Sequence, residues 1–339
     1  MKEGIVRIRT FYLLCTVILA GALGSFVQAA KPPRSPSPPS AVSWVVLRGE
    51  SFDLAEAALR LAPEAANRRD RRETLRRIDE LAGRVTTALP PGATPRQTLD
   101  VINDVLFTKE GFRGTISLSD PSSPSIPQLL RDKRGTCVNL VILYLAIAER
   151  LGLDVHAAAT PVHLFVRYDG PDGVINIETL EQGRTVDDAE YRRRNRIADS
   201  SVERGLFLGP LSQRAVIAHF LSNRGAIASR GGRREDALAD FDAALELYPD
   251  LEAAYYNRGL EQLKAGQFEA ARADLTKAVE LHPLDAQAFN NRGLAELKIG
   301  DAAAARRDFE EAMRIEPGQK EARENLKLLG QPAAAAPAP

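Results

Sequence analysis

Residues 134–153 read RGTCVNLVILYLAIAERLGL. From Val138 to Ala148 apolar side chains fall on nearly every face of a helical wheel. A helix of that kind has no side suited to water, so the spacing predicts a buried central helix ending at Arg150 and closed by Gly152. Upstream, Phe52 to Leu61 and Thr74 to Ala88 show helical spacing with charged faces, and Thr98 to Phe107 reads as another helix ended by Gly111. Ser117 to Pro127, rich in Ser and Pro, reads as a loop. Downstream the period changes to that of strands: Asp154 to Thr160, then His163 to Tyr168, then a Pro171-Asp172-Gly173 turn and Val174 to Glu178. Helices first and hairpin-connected strands after them make this an α+β domain.

The order of reactive groups along that stretch has a chemical logic. Cys137 opens the central helix, His163 opens the second strand, and Glu178 closes the third. A helix start carries partial positive charge and backbone N–H groups without intrahelical partners. A thiol there ionises more easily, and the same N–H groups suit an oxyanion formed when the thiolate attacks a carbonyl. A histidine on a facing strand can take and return the proton, provided a carboxylate or amide orients it. Asn176 and Glu178, two apart on one strand, point to the same face, so either can be the orienter. Thr136, just before the thiol, is a further candidate for the pocket.

Composition sharpens the cysteine reading. The chain has 339 residues, 45 Lys+Arg against 45 Asp+Glu, and 44% hydrophobic residues. That length predicts two domains, and the balanced charge argues against a nucleic-acid binder. Only two cysteines occur, Cys15 and Cys137. Residues 1–30 read as an export signal: Lys2, Arg7 and Arg9 precede an uncharged stretch from Phe11 to Val27, and Ala29-Ala30 suit cleavage. The alternative is an uncleaved membrane anchor, the one membrane contact expected. Residues 31–45 follow as a proline-rich linker. The exported body, periplasmic or secreted, then keeps one thiol, which an oxidising compartment cannot pair internally. One cysteine with scattered histidines predicts no metal site, and no cofactor is implied. His156 reads as structural, with a substrate pocket the alternative; His219 and His282 receive no role, and Arg192-Arg193-Arg194 with Arg196 reads as a solvated helix face.

The C-terminal third is periodic. Asn223-Arg224-Gly225 recurs as Asn257-Arg258-Gly259 and Asn291-Arg292-Gly293, in steps of 34 residues. The same step links Gly232, Gly266 and Gly300, then Ala237, Ala271 and Ala305, then Phe241, Leu275 and Phe309, then Pro249, Pro283 and Pro317. This pattern resembles three tetratricopeptide repeats, each a helix–turn–helix. The first glycine of each copy leaves room for helices to cross, the second suits a left-handed turn, and the proline stops the second helix. Arg224, Arg258 and Arg292 repeat in step with Asp240, Asp274 and Asp308, which predicts structural ion pairs between helices. Asn223, Asn257 and Asn291 are candidates for a groove that takes a protein or peptide ligand. Gln319 to Leu329 reads as a capping helix, and residues 331–339 as a disordered tail.

The first domain also carries a resemblance. Residues 134–153, 160–168 (TPVHLFVRY) and 175–179 (INIET) with Gly183 resemble the nucleophile helix, histidine strand and acidic strand of the transglutaminase-like superfamily. Asn103 to Phe107 and Gly111 to Gly114 resemble its bacterial branch, in which this domain precedes tetratricopeptide repeats. The resemblance implies a papain-like fold over residues 46–211, before an all-α solenoid over 212–330. It implies Cys137 as nucleophile, His163 as general base and acid, and Glu178 as orienter, at a position where the family usually has aspartate. The function expected is acyl transfer on an amide or peptide bond, with hydrolysis preferred over cross-linking to an amine. Some members of the branch lack the cysteine and histidine; the alternative expectation is therefore an inactive module that serves, with its repeats, as an adaptor in the cell envelope.

Overall fold

A computed structural model describes residues 52–62, 67–115, 125–171 and 173–330. The expected export segment with Cys15, the linker, the C-terminal tail, most of the expected 117–127 loop and Asp172 lie outside the described residues.

Local chemistry sets most helix starts. Asp53 accepts from the Glu56 N–H and begins α1 (Leu54–Leu61), and Asn67 does the same for α2 (Arg68–Ala88). Thr94 and Gln97 cap α3 (Pro95–Asn103) reciprocally, and Pro95 sits in its first turn. This helix therefore starts three residues before the expected Thr98. Its continuation, Asp104–Lys109, is wound as a π-helix, and Gly111 follows at φ +75°. The loop expected to run through Pro127 ends earlier. Ser125 caps α4 (Ile126–Asp132), because a proline in the first turn favours helix rather than breaking it.

Two short strands missing from the sequence reading, β1 (Arg113–Gly114) and β2 (Arg134–Gly135), then pair in parallel. They deliver the chain into α5 (Cys137–Arg150), which is buried at nearly every position from Val138 to Ala148. Beyond it, β3 (His156–Thr160), β4 (His163–Gly170), β5 (Gly173–Glu178), β6 (Arg184–Val186) and β7 (Pro210–Leu211) form one antiparallel sheet in the order β6-β5-β4-β3-β7. Thr160 pairs with His163 across the β3–β4 turn, and Arg167 with Asn176 across β4–β5. Between β6 and β7 lie two short helices, α6 (Asp188–Asn195) and α7 (Asp199–Glu203).

A run of helices follows: α8 (Gln213–Arg230), α9 (Arg234–Leu247), α10 (Glu252–Lys264), α11 (Phe268–Leu281), α12 (Ala286–Ile299), α13 (Ala302–Ile315) and α14 (Lys320–Gly330). The periodic glycines act as their spacing predicts. A Cβ on Gly225, Gly259 or Gly293 would lie 2.7 Å from Phe241, 2.9 Å from Leu275 or 2.7 Å from Phe309, too close for the crossing helices. Gly232, Gly266 and Gly300 turn the chain at φ +72°, +73° and +105°. Each Arg of the series makes a two-pronged pair with its Asp partner at about 2.5–2.8 Å. One hydrophobic core extends from Phe52, just before α1, through α5 and the sheet to Val216, Ile217, Phe220 and Leu221 of α8, and on to Leu281. The third repeat has a cluster of its own around Phe309 and Ala312. Among the described residues no helix is long and apolar enough to cross a membrane.

Candidate active site

Cys137 is the first residue of α5, partly buried, with no disulfide partner among the described residues. The Thr136 side chain makes no cap hydrogen bond to the helix start. Its hydroxyl instead accepts from Asn223 Nδ2 of α8 at 3.3 Å. Two close glycine contacts position this helix start, one against the turn that follows the acidic strand and one against α4. Gly114 lies where a Cβ would meet the Leu180 backbone at 2.9 Å, and its partner Gly135 where one would meet Leu129 at 2.8 Å. Each approach depends on the absence of a side chain.

His163 stands between the thiol and the carboxylate. Its Nε2 lies 2.8 Å from Glu178 Oε1, and its ring is hydrogen-bonded to Cys137 as well. Glu178 is buried and has both oxygens engaged: Oε1 also accepts from the Leu180 backbone N–H at 3.0 Å, and Oε2 from the Tyr191 hydroxyl at 3.1 Å. Tyr191 comes from α6 and stacks on Phe165 of β4, centroids 4.3 Å apart. Beyond Glu178 the chain makes a tight turn closed by a Gly183 N–H bond to the Glu178 carbonyl. Gly183 sits at φ +82°, with the Asn103 amide where its Cβ would be and donating to its carbonyl.

These contacts set the charges. Burial pushes the Cys137 thiol up, but the His163 charge, its hydrogen bond and the Leu164 backbone N–H outweigh it, so the thiol lies below its ordinary range. Burial pushes the His163 imidazole down, yet Glu178 and Cys137 together hold it well above the usual histidine value. Glu178 is favoured as the anion by His163, the Leu180 N–H and Tyr191, against the burial that opposes it. Both shifts favour the charged forms, a thiolate beside an imidazolium, with a fixed carboxylate behind them at a helix start.

The structure thus brings Cys137, His163 and Glu178 together and separates the two candidates for orienter. Asn176 shares its face of β5 with Glu178, but its amide donates to the Val186 carbonyl and to Asp188 and accepts from Arg167. It holds α6 to the sheet and does not touch His163. Tyr191 escaped the sequence reading, since a lone tyrosine beside an arginine run carries no signal until α6 folds over Glu178. Those arginines are not simply solvated: Arg194 pairs with Glu181 and Glu190, and Arg192 with Asp199. The candidate groove asparagines also divide. Asn223 reaches Thr136, Asn291 donates to the Tyr256 hydroxyl at 3.1 Å, and Asn257 is half-buried on α10.

Comparison with known proteins agrees with this architecture. Residues 72–222 match the transglutaminase-like superfamily, and residues 256–320 match the tetratricopeptide repeat. A UPF0162 protein of Xylella fastidiosa strain Temecula1 is 28% identical over 155 residues, covering 44% of this chain and 55% of that protein. The mouse F-box only protein 21 is 26% identical over 168 residues, covering 45% of this chain and 26% of that protein. The chain thus spans about half the length, or less, of these curated relatives. Among solved structures, an Arabidopsis OM64 TPR domain is 26% identical, with a TM-score of 0.34, over 34% of this chain and 96% of that one. The chain carries a transglutaminase-like domain followed by tetratricopeptide repeats.

Proposed function

We propose that this transglutaminase-like, repeat-bearing chain is an exported thiol enzyme that transfers the acyl group of an amide or peptide, with water as the usual acceptor. One observation carries the reading: a half-buried histidine hydrogen-bonded on one side to a helix-start thiol and on the other to a carboxylate whose two oxygens are both fixed.

The Cys137 thiolate attacks the carbonyl carbon, and the oxyanion that forms is held by backbone N–H groups at the start of α5. The C–N bond then breaks, His163 gives its proton to the leaving amine, and a thioester remains on Cys137. Water enters, His163 takes its proton, and attack on the thioester releases the acid and restores the thiolate. Glu178 keeps the ring in the tautomer that both transfers need. An amine in place of water would give a cross-link by the same steps. The repeats are proposed to bind a protein or peptide partner and present it to this site. The export reading rests on residues 1–30 and carries the periplasmic or secreted setting with it.

Alkylation of Cys137 by iodoacetamide, followed against pH, tests the chemistry. The wild-type rate is expected to rise with an apparent pKa below that of an ordinary thiol, ~8.5. In His163→Ala the burial that opposes ionisation is no longer offset, so the rate near pH 6 should fall by at least about tenfold, the equivalent of one pKa unit. An ordinary thiol pKa in the wild type, unmoved by His163→Ala, would favour the adaptor reading instead. Trapping the acyl-enzyme and identifying its acyl group would define the substrate.

A further inference from the structure

Away from the thiol, three titratable side chains converge where the second repeat meets the third. Glu252 begins α10, His282 caps the end of α11, and Asp285 caps the start of α12. Their ligand atoms all lie within 4.8 Å of one another. Two atoms each about 2.1 Å from one ion stand about 3.4 Å apart at a tetrahedral angle, so small rotations would close the three onto a single cation.

His282 is 6% exposed, and its Nε2 has no hydrogen-bond partner. The ring donates to the Arg196 carbonyl, and with Nε2 unpartnered that donor is Nδ1. This is the neutral tautomer with its lone pair on Nε2, the arrangement a metal-bound histidine shows when its other nitrogen is anchored to a carbonyl. Phe207 stands edge-on to the ring, with centroids 5.6 Å apart, and fixes its plane. Glu252 is 7% exposed, and its charged neighbour among the described residues is Asp285, a like charge. Asp285 has one oxygen on the Gln287 and Ala288 N–H groups, and its carboxylate retains acceptor capacity beyond them. A buried carboxylate and a half-buried one beside an imidazole lone pair make a poor set of neighbours without a cation.

The repeat period shows that helix packing does not demand this trio. The positions equivalent to Glu252 are Ala218 and Ala286; those equivalent to His282 and Asp285 are Tyr248 and Leu251 in the first repeat and Glu316 and Gln319 in the third. Of the three copies, this one combines an imidazole with two carboxylates.

We propose that Glu252, His282 and Asp285 bind one divalent transition cation, with Zn²⁺ the best match, and that the ion fastens the second repeat to the third. One imidazole with two carboxylates suits zinc and its first-row neighbours, whereas Ca²⁺ and Mg²⁺ favour all-oxygen shells. Sequence spacing hid the site, because Glu252 lies 30 residues before His282 and no short ligand motif spans them.

The test uses the full chain with Cys15 and Cys137 both changed to Ser, so that the thiols cannot hold zinc. After chelator treatment and dialysis, Zn²⁺ is titrated against a chromophoric competitor, and thermal melts are run with and without it. One equivalent should bind, and the melting temperature should rise by roughly 5 °C at a hundredfold excess over the dissociation constant. Glu252→Ala installs the residue that the other two repeats carry, so it should fold while binding Zn²⁺ at least about tenfold more weakly and losing the thermal shift. Asp285→Asn keeps a helix cap and should weaken binding too. Zinc that leaves the melting temperature of the parent unchanged, or binds the parent and Glu252→Ala alike, overturns the proposal.

Discussion

Glu178 shows how much a single side chain depends on its neighbours. A carboxylate this deeply buried would ordinarily be protonated, but three groups hold it towards the anion: His163, by its charge and its hydrogen bond, the Leu180 N–H and Tyr191. Glu178→Gln removes that charge and leaves Cys137 alone to oppose burial of the ring. The His163 imidazole, now held well above its ordinary value, should then titrate at a clearly lower pH than in the wild type. NMR of the ring across pH reads this directly, and an unmoved titration would mean that Glu178 is not what raises it. Tyr191→Phe is a milder change. The ring can still stack on Phe165, while Glu178 loses one hydrogen bond to a charged acceptor, expected to cost about 1.5–3 kcal/mol in chemical denaturation. Cys137, His163 and Glu178 were legible in the sequence as an order of residue types on a helix start and two strands. The choice between Asn176 and Glu178 was not, because strand alternation gives both the same face. What separates them is what folds against each: His163 and Tyr191 over one, Arg167 and Asp188 over the other.

At the level of elements, the three Arg–Asp pairs form a natural series on one scaffold. All are bidentate, but their burial differs. The Arg224 and Asp240 side chains are 9% and 4% exposed, against 20% and 10% for Arg292 and Asp308. Arg224 also donates to the Leu61 carbonyl at the end of α1, a contact outside the repeats altogether. Removing one partner of a buried pair strands the other charge and costs about 3–5 kcal/mol. Arg224→Ala should approach that figure, and Arg292→Ala should cost less, because water can reach Asp308. Equal losses in urea unfolding would show that the pairs are interchangeable and that burial does not rank them. The repeats were the most legible elements because each copy spends the same residue types on the same crossing and turn. The start of α4, the π-wound end of α3 and the two-residue strands β1 and β2 were hidden for the opposite reason. They depend on backbone pairing or on a proline whose meaning changes with its position in a turn.

Across the whole molecule, the transglutaminase-like domain and the first repeat are not independent bodies. They share one core through α8, and the same helix sends Asn223 to the hydroxyl of Thr136, the residue before the thiol. His219, also on α8, lies beside the Tyr248 ring and lines the pocket that includes Thr160 at the end of β3. Burial holds it down at about 4, so it is neutral in the folded chain at every pH above that value. In the unfolded chain it titrates near ~6.5. Between these two values the unfolded state binds the extra proton, so stability is fully present above ~6.5 and falls as pH drops through the window towards 4. The shift sets an upper limit of about 3 kcal/mol, reduced because the side chain is only partly shielded from water. His219→Phe removes the titrating group while keeping an aromatic ring against Tyr248. Denaturant unfolding of both proteins at pH 7 and at pH 4.5 isolates the effect, since His156 and His282, also held low, contribute equally to each. The variant should lose less stability on acidification than the wild type. Equal losses would mean that the seam between domain and first repeat is not where acid acts; a smaller loss in the variant would locate acid sensitivity on the helix that joins the repeats to the thiol site.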